Sequence, residues 1–431
     1  MPTVNVTARG FMPINEARQK VEGFANLPTV EVPYVPTGMS PQQIREEIAK
    51  HVDEFVAALT QPVKVTVKPK KVAEEILQFE GADFFGALDN LNKGFLDRGW
   101  GDGFPIVPPT RDAVDRMLKG TSRARDELVV RMEPGEGFGT VEKIAINCVM
   151  AGCKPEYLPV VIAAVEAMSE PEFALTIVAQ STGPHCPFIV VNGPIREELG
   201  INSGRCALGP GAPSKVNTAI GRAVRLVMMN VGHAYPGVMD MDTIGSPNKY
   251  SMCVGENEEA NPWGPLHVEA GFDHNTSAVT VFPCESYAEV FDLKSYTPQG
   301  VLTTFAHTGN MAGAASSRGW LVKEGPMWDR ATLLVICPDH ARIIAEAGWT
   351  KDDVRRYMFL NCLLPWGVVK NFAEDHRTTP GWRWLYDEPD DRMVSLARDP
   401  SYYRVAVVGG DAGKSGYMTS IGMPVTKKIS K

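Results

Sequence analysis

The reactive group that the sequence predicts first is the thiol of Cys153. Apolar residues at helical spacing before and after it predict two helices, and Gly152 can end the first helix while Pro155 suits the first turn of the second. Cys153 would then lie just ahead of a helix N-terminus and beside Lys154, where unpaired N–H groups and an ammonium favour a thiolate. We therefore expect Cys153 to act as a nucleophile or redox thiol, and Cys148, on an apolar helix face, to be a core residue.

A carboxylate and an imidazole that could move protons flank a Pro-Trp-Gly-Pro segment, which predicts a rigid and partly buried loop. On such a loop Glu256 and His267 could act as acid and base, with Asn257 as an orienting and substrate-binding group. Glu258 and Glu259 complete the charged run, and we expect them on a solvated face.

Two arginines predict an anion-binding site. A loop rich in glycine and proline over residues 201–217 leads into a clear helix over 218–231, whose first N–H groups could meet an anion. Arg222 and Arg225 are three positions apart on that helix and share a face, and a guanidinium suits a carboxylate or a phosphate. Asn217 at the junction is a further candidate contact. The alternative is a structural junction whose arginines form salt bridges.

Histidines in two other loops are candidate ligands. His185 and Cys186 follow an apolar strand, where sites of α/β proteins collect. If a metal is bound, we expect His185, Cys186, Glu256 and His267 to hold it, although no compact Cys/His spacing supports structural zinc. His307 is a candidate substrate contact because the small residues after it, through residue 317, permit close approach of a ligand. A tight turn is the alternative there.

Two segments look like sites but are interpreted as structural. In Cys337-Pro338-Asp339-His340, His340 is expected to be a residue of a helix N-terminus. Gly409–Ser415 imitates a phosphate loop, but a Walker motif requires four residues between the first glycine and Gly-Lys-Ser, and three separate Gly409 from Gly413. We expect a tight turn after a strand, which could touch a ligand or a neighbouring subunit.

The elements that must position these residues alternate between short apolar strands and helices, which predicts an α/β fold. We expect a small N-terminal α/β unit over residues 1–62, a connector and helix over 63–98, and a large mixed α/β main domain over 99–431. Strands are predicted over residues 29–35, 61–71, 127–132, 174–179, 187–192, 276–283, 331–337 and 404–408. Helices are predicted over residues 41–59, where Ser40 can act as the N-cap, and over 74–97 and 218–231. Residues 295–304 are expected to form a further element.

Composition narrows the class of protein. The 431 residues are 44% hydrophobic and 22% charged, as in an ordinary globular protein, and the net charge of −8 gives no reason to expect nucleic acid as a partner. No apolar run reaches the length of a membrane span, and the N-terminus lacks the pattern of a signal peptide. We therefore expect a cytoplasmic protein whose eight cysteines are free, redox-active or metal-bound.

Several blocks together resemble a bacterial family of proteins related to the UGSC-type (seleno)proteins, which are named for a Sec/Cys-Gly-Ser-Cys motif. The blocks are residues 101–110, 150–167, 192–194, 220–226, 256–259 and 262–267, and residues 11–60 resemble the tail end of the UGSC domain itself. Asn192, in one of these blocks, joins the candidate substrate contacts. The resemblance implies thiol or selenol chemistry in the assembly. Because this chain contains no Cys-Gly-Ser-Cys, a partner subunit would have to supply that motif.

Three functions stay open on the sequence. The first is an enzyme, or an enzyme subunit, that uses a thiol for redox or carbon–heteroatom bond chemistry on a small anionic substrate; we favour an oxidoreductase over a lyase or hydrolase. The second is a metal-dependent lyase or hydrolase. The third is a non-catalytic subunit that completes a partner carrying the Cys-Gly-Ser-Cys half. We expect an oligomer, and an active site shared between two chains would unite the first and third.

Overall fold

The computed structural model describes residues 3–21, 23, 27–33, 39–61, 76–311, 329–370 and 383–431. The edge strand predicted over residues 61–71 lies outside the described residues from position 62 onward. The small residues at 312–317, after His307, lie outside them too.

Strands and helices are numbered here in chain order. The strands are β1 (Asn5–Ala8), β2 (Thr29–Val32), β3 (Leu128–Met132), β4 (Gly137–Thr140), β5 (Cys186–Asn192), β6 (Cys253–Gly255), β7 (Ala278–Phe291), β8 (Thr332–Ile336), β9 (Leu363–Pro365), β10 (Met393–Ser395), β11 (Tyr403–Val407), β12 (Lys414–Ser420) and β13 (Val425–Lys428). The helices are α1 (Met12–Val21), α2 (Pro41–Ala49), α3 (Val52–Thr60), α4 (Phe84–Leu96), α5 (Arg111–Met117), α6 (Val141–Met150), α7 (Leu158–Met168), α8 (Leu175–Gln180), α9 (Ile195–Leu199), α10 (Lys215–Asn230), α11 (Leu266–Glu269), α12 (Pro298–Met311), α13 (Pro338–Glu346), α14 (Lys351–Asn361) and α15 (Trp366–Lys370).

The main sheet has seven strands and a mixed topology, which confirms the predicted mixed α/β fold. Its order is β11-β8-β12-β7-β5-β6, and β13 pairs with the first part of β7. The pairs β11–β8 and β5–β6 are parallel, whereas β12 and β7 run antiparallel to their neighbours. In the N-terminal unit, β1 and β2 pair in parallel on either side of α1 in the chain.

The sheet curls until its two edge strands approach each other at their C-terminal ends. There the backbone N–H of Asn257, just after β6, donates to the carbonyl oxygen of Val407 at the end of β11, at 2.7 Å. Alternate residues of six strands fill the inside of the curl and form one buried cluster, which includes Phe188, Val190, Val254, Phe282, Leu333, Ala406 and Met418. The intervening residues pack outward under helices, so β5 is buried along its whole length, which explains its unbroken apolar run.

Helices cover the outer face of the curl in two groups. Helices α6, α7 and α10 pack together over the first part of β7 and form the largest core cluster. Helices α12, α13 and α14 enclose a second cluster with β8 and β11. None of the helices in the described part of the chain combines the length and apolar character that crossing a bilayer requires.

The predicted turn between α6 and α7 is confirmed. Gly152 ends α6 with a φ of +79°, and the N–H of Cys153 returns to the carbonyl oxygen of Cys148 at 2.9 Å, as in a Schellman motif. Pro155 then begins a short 3-10 turn that leads into α7. The capping box at Ser40 is also present, because its hydroxyl accepts from the N–H of Gln43.

Four predicted elements differ in the structure. The strand predicted over 174–179 is wrong, because the segment forms helix α8 and buries Leu175, Val178 and Ala179 on one face. A short apolar run has no periodicity that distinguishes a strand from a helix. The helix over 41–59 is two helices that break at Lys50 and His51. Helix 74–97 is shorter and begins after its cap at Asp83. Residues 295–304 mostly belong to α12, which continues to 311.

Candidate functional site

The C-terminal ends of β6, β8 and β11 meet at one edge of the curled sheet. Besides the link from Asn257 to Val407, the N–H of Val408 donates to the carbonyl oxygen of Ile336 at 3.0 Å. Cys337 follows β8 directly at this edge and is the N-cap of α13, with Pro338 in the first helical position. Loops beyond the carboxyl ends of parallel strands are where α/β proteins commonly place their sites.

Cys337, His340 and Ser415 form a hydrogen-bonded group at this edge. The Nδ1 atom of His340 lies 2.8 Å from the Ser415 hydroxyl oxygen, which also accepts the backbone N–H of Cys337 at 2.9 Å. The Nε2–H of His340 donates to the carbonyl oxygen of Asp292, at the end of β7, at 2.9 Å. In the neutral ring Nδ1 therefore accepts the serine proton. Residues at the ends of β7, β8 and β12 thus hold the imidazole of His340 near Cys337.

The electrostatics of this group favour a thiolate and an imidazolium. Burial opposes ionisation of the Cys337 thiol, but hydrogen bonds from His340 and Ser415 outweigh it and hold the pKa of Cys337 below its ordinary value. Burial likewise opposes charge on His340, yet its hydrogen bond to Cys337 and the carbonyl of Asp292 raise the pKa of His340. In contrast, burial is the main cause that raises the pKa of Cys148 and of Cys253. The surroundings of Cys337 thus lower the pKa of its thiol, whereas those of Cys148 and Cys253 raise theirs.

Glu256 directly follows β6, where the edge strands β6 and β11 approach each other, and it is fully buried. Its Oε2 accepts from the side chain of Asn192 at 2.7 Å and from the N–H of Leu266 at 2.8 Å, and its Oε1 accepts from the side chain of Asn261 at 2.8 Å. Burial raises the pKa of the Glu256 carboxyl, although the hydrogen bonds from these donors act to lower it. The carboxylate therefore joins the ends of β5 and β6 to the loop after them. To act as a general base, it would first have to release one of these donors.

The predicted partner of Glu256 makes separate contacts. His267 is fully buried, and its Nε2–H donates to the carbonyl oxygen of His274 at 3.1 Å, while its Nδ1 has no hydrogen-bond partner among the described residues. Within the described ranges, Glu256 and His267 share no hydrogen bond. Asn257 donates from its side chain to the carbonyl oxygen of Gly409 at 3.0 Å and so holds the loop that leads to Ser415.

The expectation that Glu258 and Glu259 lie on a solvated face is only half right. The carboxylate of Glu258 is 9% exposed and accepts the N–H of Gly193 at 2.7 Å and the side chain of Asn192 at 3.1 Å. Glu259 is exposed and pairs with Arg196. Asn192 is itself 0% exposed, so the structure gives it two carboxylates as partners in place of a substrate.

Cys153 lies where the predicted helices and α10 meet. Its thiol donates to the carbonyl oxygen of Ala219 on α10 at 3.4 Å, and it is a hydrogen-bond neighbour of Cys148. Cys148 is fully buried, so its assignment to the core is confirmed. The half-buried Cys153 therefore contacts the helix that carries Arg222. Within the described part of the chain, it makes no hydrogen bond to Glu256 or His267.

The arginines of α10 are engaged by carboxylates of this chain. Arg222 forms a bidentate pair with Asp102, at 2.7 and 2.9 Å, and Arg225 pairs with Asp240 at 2.9 Å in a buried position. An anion at α10 would have to displace Asp102. Asn217 is also buried and bonds the backbone of the preceding loop, including the carbonyl oxygen of Ala207 at 3.0 Å. The observed contacts match the alternative of a salt-bridged junction. Sequence spacing could not distinguish this junction from an anion-binding site, because the acidic partners are distant in the chain.

The four candidate metal ligands do not meet. His185 and Cys186 lie at the start of β5, whereas Glu256 and His267 lie near its end, roughly 20 Å away for a strand of this length. Cys186 faces Cys284 across the β5–β7 pair inside the curl. In the part of the chain that the structure describes, no group of three or more His, Cys, Asp or Glu side chains is arranged to hold a metal ion.

His307 is on helix α12, not in a turn, and its side chain is exposed. Sequence reasoning missed the group around Cys337, although it noticed both Cys337-Pro338-Asp339-His340 and the loop to Ser415. The available signal was a cysteine directly after an apolar strand, followed by proline and, three positions on, histidine. A residue three positions into a helix folds back beside the N-cap, so this spacing brings an imidazole to a thiol.

Comparison with known proteins adds no relative: no family model, no curated protein and no solved structure matches the chain.

Proposed function

We propose that this chain is a thiol-dependent enzyme, or the thiol-bearing subunit of one, with Cys337 as its nucleophile. The observation that carries the proposal is the position of Cys337 at the N-cap of α13, where its backbone N–H donates to the Ser415 hydroxyl that also contacts His340, together with a lowered thiol pKa. Thiolates at helix N-termini beside an imidazolium are the reactive form of cysteine in enzymes. The earlier candidate, Cys153, lacks such a partner among the described residues.

In this proposal each member of the group has one task. His340 takes the proton of the Cys337 thiol, and Ser415 and the carbonyl of Asp292 hold the ring in place. The thiolate then attacks an electrophilic carbon or sulfur atom of the substrate, and the imidazolium returns its proton to the departing heteroatom. This sequence suits carbon–heteroatom bond cleavage or thiol redox chemistry, the classes that the sequence favoured.

The substrate in this proposal is a small anion. The N–H groups of the first turn of α13 favour negative charge near Cys337. Arg205 belongs to the same edge, since its backbone and Cβ lie beside the loop residue Gly410. Arg205 is exposed, and no ion pair within 4 Å engages it in the described part of the chain. It therefore replaces Arg222 as the favoured anion contact.

Access to the thiol would depend on the loop Gly409–Ser415. Cys337 and His340 are each about 1% exposed, so a substrate reaches them when this loop moves aside. Asn257 bonds Gly409, and the N–H of Gly409 donates to the carbonyl oxygen of Ser203 at 2.8 Å. We assign to Asn257 the positioning of this loop, which differs from the direct substrate contact expected from the sequence.

The test compares Cys337→Ser with Cys153→Ser as the matched control. Thiolate formation is followed by its ultraviolet absorbance as the pH rises, a readout that does not need reagent access. We expect the thiolate that forms at the lowest pH to be lost in Cys337→Ser and kept in Cys153→Ser. Release of a heteroatom leaving group from a panel of small anionic electrophiles should follow the same pattern. Loss of both signals in Cys153→Ser, with both kept in Cys337→Ser, would overturn the proposal.

A second candidate function is completion of a partner that carries the Cys-Gly-Ser-Cys half, as the resemblance to UGSC-type proteins suggests. The observation in its favour is the apolar face of α3, where Val52, Val56 and Leu59 are 40–54% exposed. We expect tagged chain to co-purify from its source cells with such a partner, and Val56→Glu to abolish the association. Full turnover by the isolated chain would count against this function.

A further inference from the structure

A cleft with a volume of about 520 Å³ opens between α14 and the turn before β11. This volume lies within the range of small-molecule sites, which is on the order of 300–1,000 Å³. Three arginines line it, Arg355, Arg356 and Arg404, with Phe359 and Leu360 beside them, and two aspartates, Asp352 and Asp399, lie in the same lining. No part of the Cys337 group contributes to it.

The cations around the cleft outnumber the carboxylates that they contact. Glu269 is shared by Lys351 at 3.2 Å, by Arg355, and by Arg404 at 3.8 Å, and Arg355 also pairs with Asp352 at 2.7 Å. Two contacted carboxylates thus face four cations when Arg356 is included. Burial, and to a smaller extent the neighbouring Arg355, lowers the pKa of Arg404 although Glu269 attracts its charge. Arg356 is exposed, and no carboxylate among the described residues lies within 4 Å of its guanidinium.

The wall beside these cations is apolar. Leu360 is 55% exposed although it lies on a well-packed helix, and the partly buried Phe359 packs against the second core cluster. A cleft that combines an exposed leucine with more guanidinium groups than carboxylates in its lining matches a ligand that has an apolar body and an anionic head.

We infer that this cleft binds a small organic anion, with its carboxylate or phosphate between Arg356 and Arg404 and its apolar part against Phe359 and Leu360. Arg404 lies at the start of β11, whereas the Cys337 group lies beyond its end, roughly 15 Å along a five-residue strand. The cleft is therefore a second ligand site, separate from the proposed reaction centre.

Calorimetric titration with phenyl phosphate and with benzoate tests the inference, and phenol serves as the uncharged probe. We expect both anions to bind saturably and phenol not to bind. The tighter anion will identify the preferred head group. In Arg356→Gln we expect affinity to fall by about tenfold or more, as for the loss of one charge-assisted hydrogen bond. Arg404→Gln should show the same direction.

The matched control is Arg392→Gln, because Arg392 is exposed, paired with Glu388 and not part of the cleft lining. Arg356 is also exposed, so Arg356→Gln should leave the temperature of thermal unfolding unchanged. The test therefore stays valid even if Arg404→Gln fails to fold. Absence of saturable binding, equal binding of phenol, or unchanged affinity in Arg356→Gln would overturn the inference. Cys337→Ser should bind the anions as the natural chain does, so failure of the thiol proposal is distinguishable from failure of this one.

Discussion

At the scale of single residues, the buried cysteines of this chain are alike in exposure but differ in the groups that surround their thiols. Cys148 and Cys253 are buried among apolar side chains, which disfavour the thiolate. Cys337 is equally buried, but its neighbours are an imidazole, a hydroxyl and the first turn of a helix. Burial therefore does not by itself predict whether a thiol is inert, because the groups that replace water decide it.

The coupling of Cys337 to His340 predicts a distinct pH dependence. A lowered thiol pKa means that the reactive thiolate persists to lower pH than in an ordinary cysteine and is lost only as the pH falls through that lowered pKa. We expect His340→Asn to move the onset of Cys337 alkylation by iodoacetamide upward by about one pH unit or more, because the stabilising charge is gone. Mass spectrometry of the labelled peptide would measure it.

The exposed Cys206 provides an internal reference, since its labelling reports the reagent and not the His340 substitution. An identical onset for Cys337 in the natural chain and in His340→Asn would show that the imidazole does not activate the thiol.

At the scale of elements, the strand ends depend on one carboxylate. Both oxygens of Glu256 face donors from Asn192, Leu266 and Asn261. In Glu256→Gln an amide N–H₂ would oppose at least one of these donors in a fully buried site. We therefore expect the free energy of unfolding to fall by about 1–3 kcal/mol, measured by denaturant titration.

The control for this substitution is Glu289→Gln, which removes an exposed carboxylate paired with Lys414 and should change stability by no more than about 0.5 kcal/mol. Equal stability of the two variants would mean that Glu256 does not hold the strand ends.

The elements also show what could be foreseen from the chain. Local signals succeeded: Gly152 and Pro155 marked a turn, and Ser40 marked a helix start, because these depend on neighbours within a few positions. The partners of Arg222 and Arg225 could not be foreseen, since Asp102 and Asp240 are brought to them by tertiary packing. Cys337 and His340 were visible as a pair, but Ser415 reaches them only through the pairing of β12 with β8.

At the scale of the whole molecule, the two proposed sites occupy opposite ends of β11. The Cys337 group uses the C-terminal ends of parallel strands, and the arginine-lined cleft uses the strand's beginning and helix α14. Both depend on the same strand, so a ligand in the cleft and a substrate at the thiol would contact one rigid element.

The closure of the sheet between β6 and β11 has a consequence for how the chain acquires its structure. Asn257 and Gly409 are hydrogen-bonded across 152 positions. During synthesis the edge of β6 must therefore remain unpaired here until residue 409, 152 positions further along, has left the ribosome. Such long-range closure slows folding and exposes a strand edge to other nascent chains. The edge where we propose the thiol site closes only after that point.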